Sequence, residues 1–274
     1  MSIIQAILLG LVQGLTEFLP VSSSGHLVLA QALLGVNPEA DFVLFSVLLH
    51  FGTLLAVIIA FWKDVKELIV EFFGWVKDGF KLKDRPYRRF VAMVLLTIVP
   101  MFAVLPFKSK IEEAMSSTLL VGCMLLVTAA LLLFSEKYNH GHKTEADATW
   151  VDALVVGVMQ CFALLPGLSR SGTTISGGLL RGFSRDFAVR FAFIMSLPVV
   201  LGANILEVGD ALAATPAVAI PLYVYLVGVA VALLSGLAAI KMVRFIAKRG
   251  NFRPFVVYCT LIGIITIVVS FIKG

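Results

Sequence analysis

Charged residues are scarce in this chain of 274 residues, since Asp, Glu, Lys and Arg together make up only 14% of it. Soluble domains contain roughly a quarter of such residues, so this shortage argues against a soluble globular protein. Apolar residues make up 59% of the chain, and the mean hydropathy is +0.99. Apolar runs of about 20 residues are typical of membrane-spanning helices, and several such runs are present.

Other features are missing too, and each absence excludes a class of protein. No sustained period-two alternation accompanies the apolar runs, which favours a helical bundle over an outer-membrane barrel. The three cysteines are scattered in apolar contexts without metal-ligand spacing. No Lys or Arg precedes the first apolar stretch, and Glu17 interrupts it, so we do not expect a cleaved secretory signal. The net charge of +5 indicates no nucleic-acid partner, because the basic residues cluster between apolar runs.

Two polar stretches interrupt the apolar background, and they match each other when aligned without a gap. The first covers residues 13–26 and the second residues 160–174. At the offset of 147 that this alignment uses, the matches include Gly10 with Gly157, Gln13 with Gln160, Ser22 with Ser169, Ser24 with Ser171, and Gly25 with Gly172. This repetition predicts a single membrane domain, 1–274, made of two copies of one unit, 1–135 and 151–274.

Each copy is predicted to contain a re-entrant helix hairpin followed by three spans, because its first two apolar pieces are short for a crossing of ~30 Å. The first copy has hairpin 1–36 and spans 42–62, 90–107 and 118–134. The second has hairpin 151–180 and spans 187–206, 219–240 and 254–272. The predicted fold class is therefore an all-α polytopic membrane bundle.

The basic residues predict how these spans are oriented. Segment 63–89 contains eight Lys and Arg residues and segment 241–253 contains five, whereas 207–218 contains none. By the positive-inside rule the first two segments are cytoplasmic and the third is external. An odd number of spans per copy then inverts the second copy relative to the first, which is an arrangement that gathers a site near the midplane from broken helices.

Two charged residues, Glu17 and Arg170, fit neither a loop nor the end of a span. A charge at membrane depth costs about 2.5–3.5 kcal/mol on insertion scales, so each indicates a functional site. We expect the two side chains to share one cavity. A purely structural salt bridge between the copies is the other interpretation, although it leaves the neighbouring serines and His26 unexplained.

Both polar stretches run Ser-x-Ser-Gly into a helix. A helix start offers unpaired N–H groups to an anion, and the guanidinium of Arg170 suits phosphate oxygens. Two such starts facing each other would bind a diphosphate; for one loop alone, an ordinary N-cap is the simpler interpretation.

The first hairpin also holds the raw material of acid–base or nucleophilic catalysis, namely Ser23, His26 and Glu17. Gln13 and Glu17 lie on one helical face because they are four residues apart. His50 is expected to be a packed core histidine without a charged neighbour. His140 and His142 form too weak a pattern to predict a metal site.

These motifs resemble those of a known family. Gln13-x-x-x-Glu17, Pro20-Val-Ser-Ser-Ser-Gly-His26 and Pro166-Gly-Leu-Ser-Arg-Ser-Gly172 are similar to the motifs of bacterial undecaprenyl-diphosphatase, the bacitracin-resistance type of integral membrane phosphatase. The resemblance implies removal of the terminal phosphate from undecaprenyl diphosphate, which recycles the carrier lipid for cell-wall synthesis. It also implies a site in the bacterial cytoplasmic membrane that opens to the outer face.

The resemblance also implies residue roles. The catalytic residues would be Glu17, Ser23, His26 and Arg170. The substrate-binding residues would be Gln13, Ser22, Ser24, Gly25, Ser169, Ser171, Gly172 and Thr174. Many family members have Glu where this chain has Gln13, which weakens a mechanism based on two carboxylates.

Several questions stay open at this point. Either Ser23 or His26 could be the nucleophile. The sequence does not decide whether a divalent cation, Mg or Ca, binds at Glu17, nor whether the protein forms a homodimer. A lipid-carrier flippase or secondary transporter on the same inverted-repeat scaffold is the other functional hypothesis.

Overall fold

A computed structural model of the protein describes residues 1–36, 40–82, 85–114, 117–213 and 220–273. Within these ranges the secondary structure is helical, which confirms the predicted all-α fold class. The helices are α1 (Ile3–Phe18), α2 (Ser23–Leu34), α3 (Ala40–Ala60), α4 (Trp62–Lys77), α5 (Pro86–Phe102), α6 (Lys108–Ala114), α7 (Thr118–Tyr138), α8 (Trp150–Phe162), α9 (Arg170–Leu180), α10 (Arg185–Ala213), α11 (Leu222–Arg249) and α12 (Arg253–Lys273). A short 3-10 turn, Leu105–Phe107, precedes α6.

Both polar stretches break a helix, as predicted. The first break lies between α1 and α2 and contains Pro20, whose ring and missing N–H end a helix. The second lies between α8 and α9. Ser2 and Thr149 begin α1 and α8 with the same capping box, which supplies partners for N–H groups that a helix start otherwise leaves unpaired. Two short helices joined at a polar turn therefore occur twice.

In the described residues, four helices are long and apolar enough to cross a membrane, namely α7, α10, α11 and α12. α3 and α4 count as a fifth crossing only when taken together, and they meet at an angle of 90°. α5 is shorter, at 17 residues, and contains Pro100. A multi-pass membrane protein is confirmed.

The segments between the spans are more helical than expected. Much of the predicted cytoplasmic loop 63–89 is α4, which turns sharply away from α3. Likewise α11 continues through Lys241 and Arg244 to Arg249. Lys and Arg are good helix formers and are favourable near a helix C-terminus, so a basic segment need not end a helix. The predicted loop 207–218 lies partly outside the described residues, and its first part belongs to α10.

The packing partners of the two hairpins correspond to each other. α1 packs along α11, and α8 packs against α5. A Cβ at Gly10 would lie 2.7 Å from the carbonyl oxygen of Gly228, and one at Gly157 would lie 2.7 Å from that of Thr97. Only glycine allows such close approach, and these two glycines are a matched pair of the repeat. This correspondence supports two related units, while their opposite orientation in the membrane remains a prediction.

Candidate active site

Glu17 is the centre of a buried polar cluster at the end of α1. Its carboxylate accepts hydrogen bonds from Gln13 Nε2 at 3.0 Å and from Ser23 Oγ at 2.8 Å. Its other oxygen accepts from Arg170 Nη2. The Glu17 side chain is only 4% exposed, and a buried charge needs such partners. The structure brings Glu17 and Arg170 into contact, as expected.

Arg170 reaches Glu17 because the two hairpins are locked together. Ser171 Oγ donates to the carbonyl oxygen of Leu19 at 3.0 Å, which links the start of α9 to the end of α1. Ser169 N donates to Thr128 Oγ1 at 3.0 Å, which fixes the same loop against α7. The side chain of Arg170 keeps 26% exposure, so it remains accessible to a ligand while paired.

Glu17, Ser23 and Arg170 line a cavity of about 230 Å³. Its polar lining consists of Glu17, Ser22, Ser23, Ser24, His50, Gln160, Arg170, Asn204 and Glu207. Several buried polar atoms here find no hydrogen-bond partner among the described residues: Gln13 Oε1, both polar atoms of the Gln160 side chain, and Asn204 Nδ2. Buried polar groups are nearly always paired, so unpaired ones beside a cavity indicate a ligand site.

The start of α2 retains its anion-binding capacity. Ser22, its N-cap, lies at φ +70° and makes no side-chain capping bond. A serine at positive φ is uncommon and strained, a feature that clusters at functional sites. In contrast, Ser169 caps α9 by accepting from Gly172 N at 3.1 Å. The two helix starts are therefore not equivalent, because one of the leading N–H groups of α9 is already occupied.

The hydroxyl groups of the second loop are mostly engaged within the protein. Ser169 Oγ and Ser171 Oγ lie 3.1 Å apart, and Thr174 Oγ1 donates to the carbonyl oxygen of Arg170 at 2.8 Å. All three residues are at most 5% exposed. A Cβ at Gly172 would lie 3.2 Å from the ring of Pro20. Ser171 and Gly172 contact the first hairpin, whereas Ser169 and Thr174 bond within the second loop and to α7. Substrate contact by these four residues stays a prediction.

His26 faces away from the Glu17 cluster. Its Nδ1 lies 2.7 Å from the carbonyl oxygen of Ser22, and its Nε2 lies 2.6 Å from the hydroxyl of Tyr258 on α12. The two rings stack with centroids 5.6 Å apart. Among the described residues that line the cavity, His26 is not present. The sequence grouped His26 with Ser23 and Glu17, but its ring turns toward Tyr258 on α12 instead.

His50 was wrongly predicted to lack a charged neighbour. Its Nε2 lies 3.9 Å from Glu17 Oε2, and the ring lines the cavity. One signal in the sequence could have found it. An ionisable side chain within an apolar span is itself a functional-site indicator, by the same reasoning that selected Glu17 and Arg170.

No group of three or more His, Cys, Asp or Glu side chains suited to a metal ion occurs in the part of the chain that the structure describes. A cation carried in by a diphosphate would need fewer protein ligands, since phosphate oxygens supply the others. Binding of Mg or Ca at Glu17 therefore stays a prediction, which an activity assay with and without a chelator can test.

Fold and site together define a class: a multi-pass helical membrane protein with an acid–guanidinium cluster at the meeting point of two broken helices. Comparison with known proteins agrees with this class and narrows it. Residues 6–265 match the family model described as bacitracin resistance protein BacA, and the chain belongs to that family.

Curated relatives extend the similarity over almost the whole chain. An undecaprenyl-diphosphatase of Methanosphaera stadtmanae is 40% identical, over 98% of this chain and 99% of the relative. One of Halothermothrix orenii is 41% identical over the same shares. One of Bacteroides fragilis is 39% identical, over 97% of each chain. The expected family resemblance is confirmed.

Proposed function

We propose that this protein is an undecaprenyl-diphosphate phosphatase, which hydrolyses undecaprenyl diphosphate to undecaprenyl phosphate and inorganic phosphate. The observation that carries the proposal is the cluster of Glu17, Ser23 and Arg170 beside a membrane cavity. Relatives of nearly the same length carry the name of this activity. The product is the carrier lipid of cell-wall synthesis, and its supply would confer resistance to bacitracin, in agreement with the family name, bacitracin resistance protein.

The diphosphate would bind among Arg170, the start of α2 and the unpaired amides of Gln160 and Asn204. The guanidinium supplies a planar pair of donors to phosphate oxygens. The free N–H groups that follow Ser22 supply others at the positive end of a helix dipole. Gln160 is 1% exposed and without a partner among the described residues, as expected of a donor that awaits a ligand.

Catalysis would depend on positioning and on stabilising charge as the phosphoryl group transfers. The 2.8 Å hydrogen bond from Ser23 to Glu17 gives the serine proton an acceptor while Ser23 attacks the terminal phosphorus. The same pair could instead orient a water for that attack. His26 would position the start of α2 from outside the cluster, through its contacts with the Ser22 carbonyl and the Tyr258 hydroxyl.

The prenyl chain would lie in an apolar groove of about 410 Å³ formed by α3, α4, α5 and α10, whose described lining residues are all apolar. On each of three helices, α3, α5 and α10, one stretch borders the polar cavity and a neighbouring stretch borders this groove. On α10 the cavity uses residues 199–207 and the groove residues 194–201; on α5 the cavity uses Met101 and the groove Val91 to Leu95. On α3, His50 borders the cavity and Phe51, Leu54 and Ile58 border the groove.

The cavity is proposed to open toward the outer face of the cytoplasmic membrane. Asn204 and Glu207 border it near the C-terminal end of α10, which leads to the segment without basic residues. Met101 borders it near the C-terminal end of α5. The basic residues of α4 and of the end of α11 lie near the N-terminal ends of α5 and α10, away from the cavity. The positive-inside rule places such residues on the cytoplasmic side.

A homodimer stays a prediction.

The test is phosphate release by purified protein in detergent, with undecaprenyl diphosphate as substrate and without a membrane gradient. Hydrolysis under these conditions separates the phosphatase from a flippase or transporter, which would release no phosphate. Parallel reactions with a chelator, and with Mg or Ca restored, decide the cation question. Absence of phosphate release in all of them would refute the proposed function.

A further inference from the structure

The Glu17 carboxylate is poorly placed to accept the proton of an attacking water, because it already accepts hydrogen bonds from three donors. These are Gln13 Nε2, Ser23 Oγ and Arg170 Nη2. In this arrangement Glu17 holds Arg170 and can take the proton of Ser23, which already points at it. Hydrolysis nevertheless has to move a proton from water, so another group beside the cavity must take it.

The two histidines near the cluster differ in what their second ring nitrogen can do. A backbone carbonyl only accepts hydrogen bonds, so the Nδ1 atom that faces one must carry the proton. His26 Nδ1 faces the Ser22 carbonyl and His50 Nδ1 faces the Ser46 carbonyl at 2.9 Å. In the neutral form of each ring, Nε2 carries no proton and can therefore accept one. That of His26 is occupied by the hydroxyl of Tyr258 at 2.6 Å.

The Nε2 atom of His50 has no such donor in direct hydrogen-bond range in the described site. It lies 3.9 Å from Glu17 Oε2, beyond direct hydrogen-bond length. One water molecule in the cavity could therefore donate a proton to this nitrogen. The ring is a third exposed and borders the cavity. A water so held would present its oxygen lone pairs to the cavity, where the phosphorus would lie.

We infer that His50 is a further catalytic residue of this site, the general base that activates the hydrolytic water. The inference rests on the proposed function. As the water oxygen bonds to the terminal phosphorus, the anhydride P–O bond breaks and its electron pair leaves on the lipid phosphate. The water proton passes to His50 Nε2, and the imidazolium formed lies beside the Glu17 carboxylate, which stabilises it.

The same role holds if Ser23 first forms a phosphoserine. In that case the serine proton passes to Glu17 while the lipid phosphate leaves. Water then attacks the phosphoserine, the P–Oγ bond breaks, and Ser23 recovers its proton from Glu17. The proton of the water again passes to His50 Nε2. Both routes therefore need a base for one water molecule.

The decisive variant is His50→Asn. Asn Nδ2 stands near the position of His Nδ1 and can keep the bond to Ser46, while the Nε2 acceptor is lost. We expect kcat on undecaprenyl diphosphate to fall about 100-fold or more, with KM nearly unchanged. His140→Gln removes a histidine in the loop before α8 and is the matched control, with activity unchanged. Wild-type activity in His50→Asn, or a change confined to KM, would overturn the inference.

A pH profile distinguishes a base from a structural ring. The charged groups that face His50 in the cavity are Glu17 from α1, Arg170 from α9 and Glu207 from α10. We expect the acidic limb of the wild-type kcat/KM profile to be absent in His50→Asn. An unchanged acidic limb would contradict a base at this position.

Chemical rescue covers the case in which His50→Asn does not fold. His50→Ala leaves space for a free imidazole beside Glu17, and we expect added imidazole to restore phosphate release at least tenfold. No rescue in a folded His50→Ala protein would overturn the inference. If wild-type protein released no phosphate, the proposed function would fail instead, so the two failures are distinguishable.

Discussion

The hydroxyl of Ser23 donates to the carboxylate of Glu17 at 2.8 Å across the break between α1 and α2. The residues belong to different helices, and the turn at Pro20 folds one onto the other. The same carboxylate receives Arg170 from the second hairpin. One acid therefore joins the two broken helices and places a hydroxyl and a guanidinium on the same side of a cavity.

Removing the Ser23 hydroxyl should abolish most of the activity without affecting the fold. In Ser23→Ala we expect phosphate release to fall about 100-fold or more, since the group that attacks or orients the nucleophile is lost. Ser270→Ala is the matched control because that hydroxyl donates only within its own helix, to Ile267 at 2.8 Å. Full activity of Ser23→Ala would discard the proposed chemistry.

Substitutions can show whether the ion pair of Glu17 and Arg170 serves catalysis or only stabilises the fold. Arg170→Gln and Glu17→Gln should each reduce activity about 100-fold or more and destabilise the fold, because each leaves a buried charge unpaired. The double variant Glu17→Gln/Arg170→Gln removes both charges, so we expect its thermal unfolding midpoint to recover while activity stays lost. Recovery of both would mean that the pair is a structural salt bridge.

The apolar groove should determine how the enzyme distinguishes long from short prenyl chains. Val94→Trp fills the groove between α5 and α10, so KM for undecaprenyl diphosphate should rise about tenfold, which corresponds to the loss of a few buried methylene groups. A diphosphate with a single isoprene unit, too short to extend along the groove, should be hydrolysed as by wild type.

The control for Val94→Trp is Leu261→Trp, a lipid-facing position on α12 that is 56% exposed and outside the groove. It should leave both substrates unaffected. Equal effects of Val94→Trp on the long and short substrates would show that the prenyl chain lies elsewhere.

Asp152 at the start of α8 should make stability sensitive to acid. Burial opposes its ionisation, but hydrogen bonds from Thr149, Lys143 and Arg181 outweigh that effect and lower its pKa from 3.8 to about 2. A lowered folded pKa contributes stability that is present above the unfolded value of 3.8 and is lost as the pH falls toward 2.

Asp152→Asn should therefore lower the free energy of unfolding by about 2 kcal/mol at neutral pH, less than for a fully buried pair because Lys143 and Arg181 are each about a third exposed. Thermal unfolding in detergent measures the difference in stability between the wild type and Asp152→Asn, and this difference should become smaller between pH 4 and pH 2. Glu67→Gln, on the exposed face of α4, is the control with little change. A difference independent of pH would contradict this account of Asp152.

The prediction from sequence was accurate where a local pattern carries a large energy. Apolar runs required membrane helices, and Pro20 with the serine–glycine loops required the breaks. The cost of a charge in lipid selected Glu17 and Arg170 and indicated that they meet. The prediction was less accurate for basic segments, because α4 and the end of α11 are helical although their charges exclude them from the membrane interior.

Side-chain direction could not be read from the sequence. Ser23 and His26 share a helix, yet the hydroxyl turns to Glu17 and the ring turns to Tyr258, more than two hundred residues away. His50 looked like a core histidine because its charged neighbour belongs to α1 rather than to its own segment. The two Ser-x-Ser-Gly loops look alike in sequence but differ in structure, because the Ser169 side chain caps α9 whereas the Ser22 side chain makes no capping bond to α2.

The amino-acid sequence by itself determined that this is a helical membrane protein with two broken helices and with two charged residues, Glu17 and Arg170, inside apolar stretches. These properties follow from the free energy of residues in lipid and from the backbone limits of proline and glycine. Only the tertiary structure decided which hydroxyl meets the acid, which imidazole borders the cavity and which helices form an apolar groove. Those relationships depend on how α1, α3, α9 and α10 pack across the bundle, because residues distant in sequence become neighbours only through that packing.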